Sequence, residues 1–293
     1  MTDSVPTTTQ AFAVVDLRRQ LRAASARAVA RALGKSALIG LSTFAIVLAI
    51  WLAVYFFGGV SPYIMKSPLD VWEFLFVDED APEDRAVMAA NLLVTLQHAG
   101  VGFISGLIVA IIGAIAFRIS KGIENALMPF ATLLRSVPLV ALAPVIFVIF
   151  GLGSNISVAV IGGIVVLFPA LVTIAFGLKS ASPTMLDVIT VYGGSIVTAV
   201  RTVALPGALP SLFAAVRISV PGAITGALLA EMLSTGNGIG SATATFAASA
   251  RFNDVWACVV VVTTVSLLIY SIVQVIESIV LTRMGMNPDR KTA

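Results

Sequence analysis

Ser42 and His98 form the one serine–histidine combination that a motif suggests. Gly40-Leu41-Ser42-Thr43 fits the Gly-x-Ser-x pattern of an intramembrane serine hydrolase, and His98 is the only histidine that could act as its base. Such a pair works only when nucleophile and base lie at one depth within hydrogen-bond reach. A pattern this short recurs by chance, and His98 falls at the outer end of an apolar run, where an interfacial polar role is expected. Gly34-Lys35-Ser36 has the ending of a phosphate-binding loop, but the glycine required five residues before Gly34 is Val29, so no nucleotide cradle is expected in this chain. Gly236, Gly238 and Gly240 are spaced too evenly for a dinucleotide fingerprint and read as an outer-loop turn. Cys258 lies in the run ACVVVV and reads as a small buried hydrophobe, which excludes a disulfide framework. No HExxH or other metal-ligand constellation occurs, and Asn155-Ile156-Ser157 is a glycosylation sequon pressed against an apolar run.

Three ionisable residues lie in or beside long apolar runs, where burying charge in lipid is costly: Arg135, Arg217 and Glu231. Arg217 is placed to snorkel toward an interface. Glu231 lies ~21 Å further along a helix, at its outer end and too far to pair with it, and is expected either to gate or position helices or to contact substrate. Arg135 precedes Pro138 and Pro144, which would break a helix and widen its path around a central cavity. These two prolines, Arg135 and Glu231 are the candidate translocation-pathway or gating residues.

Positioning such groups is a task for membrane spans. Hydrophobic residues make up 58% of the 293 positions and charged ones 11%, with a mean hydropathy of +1.02, a composition no water-soluble fold could hide. The net charge of +3 does not indicate nucleic acid, because the basic residues gather beside apolar runs, where anionic headgroups would meet them.

A basic tail, 1–35, carries Arg18, Arg19, Arg22, Arg27, Arg31 and Lys35 and precedes a first span at 36–57, which places the tail in the cytoplasm. The segment 58–91 is acidic and is expected outside. Further runs at 99–117, 137–153, 156–178, 212–233 and 257–280 complete six spans, the last five within a core at 92–282. A second cytoplasmic tail covers 283–293. The expected fold is all-α and polytopic, with both termini inside a bacterial cell membrane.

Between the fourth and fifth spans, 179–210 is too long for a tight turn and too apolar for a linker. Ser182 can cap a helix that Pro183 begins, Gly193 and Gly194 end it, and Ser195 caps a second that Leu205, Pro206 and Pro210 close. Val188 and Tyr192, then Ile196, Val200 and Val203, form an apolar stripe expected to face the cytoplasm and a partner.

This loop resembles the cytoplasmic motif of bacterial ABC importer permeases: Glu-Ala-Ala, three residues, Gly, nine residues, Ile, one residue, Leu-Pro. Asp187, Gly193, Val203, Leu205 and Pro206 fall at those spacings, with Val188 and Ile189 where the family has two alanines. SPLDVW, LLRSVPLVALAPV, FGLG and LAEMLSTGNGIG also resemble the permeases for sulfonates, taurine and nitrate. The resemblance implies a non-enzymatic permease subunit pairing with a second copy, an ABC ATPase dimer and an extracytoplasmic solute-binding protein. ATP and Mg would then be bound by the ATPase, with no cofactor on this chain. Asp187, Tyr192, Gly193, Val203, Leu205 and Pro206 would form the ATPase-coupling loop. The implied cargo is a small organic or inorganic anion such as a sulfonate, taurine or nitrate, or a small heterocycle such as a thiamine-pyrimidine precursor. The alternatives are an ion-coupled secondary transporter, which would carry acids near the bilayer midplane and paired interrupted helices, and the intramembrane serine hydrolase.

Overall fold

A computed structural model describes residues 40, 42–234 and 236–284, with the backbone alone at 134–136 and 234. The basic tail at 1–35, most of 283–293 and the Arg135 side chain lie outside what is described. All described secondary structure is helical. The chain divides into two units, Met1–Leu69 and Asp70–Ala293.

In the first unit, α1 (Ser42–Phe57) is an apolar helix exposing Phe44, Ile46, Val47 and Ile50. It ends at Gly58 and Gly59, the latter at φ +65°. The Trp51 indole donates to the Lys66 carbonyl at 2.9 Å and ties the following turn to the helix.

α2 (Pro68–Phe76) leads into the second unit, which continues with α3 (Ala81–Ile119), α4 (Lys121–Ser136), α5 (Leu139–Phe150), α6 (Asn155–Lys179), α7 (Pro183–Val191), α8 (Ile196–Gly207), α9 (Leu209–Ser234), α10 (Gly238–Ala248) and α11 (Phe252–Arg283). Four of these, α3, α6, α9 and α11, are long and apolar enough to cross a membrane. α1 and α5 are shorter apolar helices at the positions of the first and third expected spans.

Two boundaries depart from the sequence reading for a physical reason. α3 begins at Ala81, well before the expected 99, and its 39 residues span ~58 Å against a hydrocarbon core of ~30 Å. Pro82 suits a first turn, and the charged residues after it propagate a helix as readily as apolar ones, so hydropathy marks the bilayer and not the helix end. In the third span the break is single. α4 ends at Ser136 and Pro138 precedes α5 in extended conformation, whereas the helix runs on through Pro144.

α6 is the hub, packing on α3 and α9. Lipid offers no hydrophobic drive between helices, so close backbone approach through small residues replaces it. Ala99, Gly102, Gly106, Ala110 and Ala114 form one buried stripe down α3. A Cβ on Gly106 would lie 2.5 Å from the Gly163 carbonyl oxygen and 2.9 Å from the Val166 Cβ, and neither can move without shifting α6. Gly106→Val is therefore expected to separate the two helices, costing about 1–3 kcal/mol or more by overpacking. A lowered melting temperature in detergent checks this, with Gly100→Ala, whose Cβ meets nothing within 4 Å, as the neutral control.

Candidate functional site

Chain direction puts the ends of α3 and α6 and the start of α9 at one end of the bundle, with α7 and α8. At this knob end, Pro183 starts α7 without an amide to lose. The helix stops in a Schellman arrangement: Gly193 takes φ +73°, its N–H donates to the Thr190 carbonyl at 3.0 Å, and the Gly194 N–H donates to the Ile189 carbonyl at 2.8 Å. A Cβ on Gly194 would sit 2.5 Å from Ile189 Cγ2. Ser195 then caps α8, its Oγ accepting the Thr198 N–H at 3.2 Å. Pro206 has no N–H to offer and its ring crowds the carbonyl four residues back, and over Val200–Ala204 the helix widens into a π turn in which the Leu205 N–H donates to the Val200 carbonyl.

The knob is anchored on one side and bare on the other. Leu186, Val203 and Leu205 pack with the buried Ala181, Ala204 and Ala208 onto Phe117, Leu178 and Ala131 of α3, α6 and α4. Val200 is buried, so the apolar stripe expected on α8 is corrected: Val200 and Val203 face the bundle, and Ile196 and Val197 are the exposed pair. With Met185, Val188, Val191 and Tyr192 they make an apolar surface, Tyr192 being 87% exposed. Asp187 is exposed on the same helix. An ion pair between Lys179 and Glu124 and a 3.2 Å hydrogen bond from the Arg118 Nε to the Leu178 carbonyl fix the helix ends beneath.

About 36 Å away along α6, the far end holds a buried acid. Glu231 is 1% exposed. Its Oε2 accepts the Gly240 N–H at 3.0 Å and the Thr95 hydroxyl at 2.8 Å, and its Oε1 lies 2.8 Å from His98 Nδ1. Thr95 Oγ1 in turn accepts the Ile239 N–H at 2.8 Å. Asn237 gives α10 no side-chain cap. The orphan amides of its first turn are satisfied instead by Glu231 from α9 and Thr95 from α3. Gly238 and Gly240 admit this approach, since Cβ atoms there would lie 2.3 Å from the Glu231 Cδ and 2.2 Å from the Leu228 carbonyl oxygen. Gly236 and Gly238 have φ of +70° and +87°, and only Gly236 belongs to the turn, Gly238 opening α10.

Beside this cluster lies a cavity of about 530 Å³ lined by Val94, Gln97, His98, Val101, Gly153, Asn155 and Asn237. The two candidate prolines are not brought to it. Pro138 and Pro144 flank or lie in α5, which packs through Ala143, Ile146 and Phe147 on Val158, Ile161 and Ala230.

Arg217 has a partner that sequence reasoning missed. Glu277 of α11 lies 3.1 Å from its Nη1, and the guanidinium stands 6.0 Å from the Tyr270 ring centroid. The pairing crosses from α9 to α11, so no local spacing signals it. Arg217→Gln leaves Glu277, only 13% exposed, without its cation, and is expected to lower the melting temperature more than the double change Arg217→Gln, Glu277→Gln.

Residues 102–285 match the family described as binding-protein-dependent transport system inner membrane component. The chain is 26% identical over 225 residues to a probable ABC transporter permease protein of Haemophilus influenzae, covering 77% of this chain and 89% of that one. It is 24% identical to a putative aliphatic sulfonates transport permease protein of Bacillus subtilis, covering 81% and 84%. To a formylaminopyrimidine transport permease protein of Halalkalibacterium halodurans it is 25% identical, covering 61% and 69%. Its fold is similar to that of a bacterial ABC transporter involved in the import of the acidic polysaccharide alginate, with a TM-score of 0.56 at 14% identity, covering 81% of this chain and 94% of that one. A helical bundle with four long apolar spans, a loop at the family's spacing and a family match over 102–285 converge: this chain belongs to the binding-protein-dependent inner-membrane components and is a multi-pass, non-enzymatic permease subunit of an ABC importer.

Proposed function

We propose that the knob formed by α7 and α8 is the cytoplasmic element by which this permease grips a separate ABC ATPase, with both chain termini on that side. The observation carrying this reading is the bare apolar face of Met185, Val188, Val191, Tyr192, Ile196 and Val197, on a knob whose other face is anchored to the bundle. Asp187, Tyr192 and Gly193 meet the ATPase, while Val203, Leu205 and Pro206 carry the force into α9. ATP and Mg are bound by that partner. A second copy of this chain completes the pathway, and the exposed apolar residues of α11, among them Leu267, Leu268 and Ile272, face that copy or lipid. Arg135, Pro138, Pro144 and Glu231 border or gate the pathway, and an extracytoplasmic binding protein delivers solute to the far end.

The cargo is a small solute, either an anion such as a sulfonate, taurine or nitrate, or a small heterocycle such as a thiamine-pyrimidine precursor. Support comes from the sulfonate and formylaminopyrimidine permeases among its relatives. Purification in mild detergent is expected to recover an ABC ATPase with this chain, and transport in vesicles is expected to stop when ATP is depleted while the ion gradient is held. Transport that persists without ATP would instead mark an ion-coupled carrier.

A further inference from the structure

The His98 ring is used on one side only. Its Nδ1 faces the Glu231 carboxyl at 2.8 Å, a contact in which Nδ1–H donates to Oε1, and in the tautomer that this geometry favours Nε2 is left as an acceptor. Nε2 makes no hydrogen bond to the described residues, and it is not among the buried polar atoms that lack a partner. It is open, on a ring that lines the 530 Å³ cavity. A carboxylate fixing an imidazole's tautomer from behind is the arrangement by which ligating histidines are aimed.

The rest of the lining defines what would fit. Gln97, Asn155 and Asn237 bring three carboxamides from α3, α6 and the edge of α10, with Val94 and Val101 as apolar walls. Among the described residues neither lysine nor arginine lines the cavity, and the Glu231 carboxyl stands behind His98. A free sulfonate or nitrate would meet no fixed cation among these lining residues and would have the Glu231 carboxyl behind the His98 ring. Carboxamides suit a different partner: they pair in bidentate fashion with a ring nitrogen beside an exocyclic amine, as Asn and Gln do with adenine. The volume falls within the usual range of small-molecule sites.

We propose that this cavity is a solute subsite at the far mouth of the permease, specific for an uncharged heterocycle or amide that donates an N–H to His98 Nε2 and pairs with the carboxamides of Gln97, Asn155 and Asn237. Glu231 and Thr95 are positioning residues, Glu231 setting the tautomer and both holding α10, which carries Asn237 to the cavity edge. The inference rests on the importer reading above and selects the heterocycle over the anion.

His98 is the sole histidine of the chain, which makes the test direct. The full-length chain, purified through a histidine-free tag, labelled with ¹⁵N-histidine and placed in lipid nanodiscs, gives one imidazole spectrum. The expected spectrum is the Nδ1–H tautomer. Formylaminopyrimidine should shift the Nε2 resonance saturably, and taurine should not. Gln97→Ala is expected to weaken that response about tenfold, the scale of one or two lost hydrogen bonds. In Glu231→Gln the amide NH₂ faces Nδ1 as a donor, so the proton should move to Nε2 and the response to the pyrimidine should fall, although the side chain keeps its shape. An Nε2 resonance indifferent to the pyrimidine, or one that moves with taurine alone, overturns the subsite. ATP-dependent vesicle uptake, measured in parallel with the copurified ATPase, separates the two readings. Uptake driven by ATP with a silent His98 leaves the importer standing without this subsite, and loss of the ATP requirement removes the importer reading itself.

Discussion

Gly193→Val is expected to leave the permease folded and inserted while reducing ATP-driven transport at least tenfold, with the ATPase still turning over. Gly193 sits at φ +73°, where a Cβ meets no atom within 4 Å. The obstacle is backbone strain, about 1–2 kcal/mol for an L-residue in this region and more for a β-branched one. That strain is relieved by opening the Schellman turn, which releases the Gly194 N–H from the Ile189 carbonyl and changes the angle between α7 and α8. A knob that transmits force by being rigid then becomes a hinge. Asn tolerates the left-handed region, so Gly193→Asn should retain most of the coupling. Paired measurements of ATP hydrolysis and solute uptake in reconstituted vesicles check this. Unchanged coupling in the valine variant would remove the turn from the force path.

The knob was legible because local chemistry writes it: a serine and a proline at a helix start, two glycines at the stop, a serine and then Leu-Pro closing the second helix. Each of these acts over four or five residues, the range at which sequence constrains backbone directly. Which face of α8 turns inward was not legible, because Val200, Val203, Ile196 and Val197 are equally apolar and only the tertiary position of α3, α4 and α6 divides them. The existence of the long spans followed from hydropathy, their ends did not, since α3 continues as a helix through Glu83, Asp84 and Arg85. α4 escaped notice for a related reason. Lys121 and Glu124 interrupt the apolar runs, and with Lys121 exposed and Glu124 tied to Lys179 of α6, Met128 and Ala131 still reach the core.

The far-end cluster lay furthest from what a sequence can say. Glu231 stood out as an acid near a span, but its partners Thr95 and His98 lie 136 and 133 residues away. The one local hint is the spacing of Gly238 and Gly240 after Glu231. Glycines seven and nine residues past an acid, read as an outer turn, are where α10 starts close enough for that acid to cap it.

Glu231→Ala should therefore be among the most damaging single changes in this chain, and its effect should be confined to the far end. Removing the carboxylate strands the buried Gly240 N–H, while Thr95 can turn its hydroxyl toward the Asn91 carbonyl 3.2 Å away and His98 can take solvent from the cavity. One unsatisfied buried donor costs about 1–3 kcal/mol, and the lost charged hydrogen bonds add about 1.5–3 kcal/mol, so a total near ~4 kcal/mol is expected. α10 has no cap of its own and should detach from α3 and α9. Hydrogen exchange should rise by about two to three orders of magnitude at Ile239 and Gly240, whereas amides of α7 and α8, about 36 Å away, keep their wild-type rates. Thr95→Val, which keeps the volume but removes the hydroxyl, should reproduce part of the effect, and Thr95→Ser should restore it. Equal loss of protection at both ends in Glu231→Ala would mean that the carboxylate holds the whole bundle together, and that the far mouth has no clasp that can open by itself.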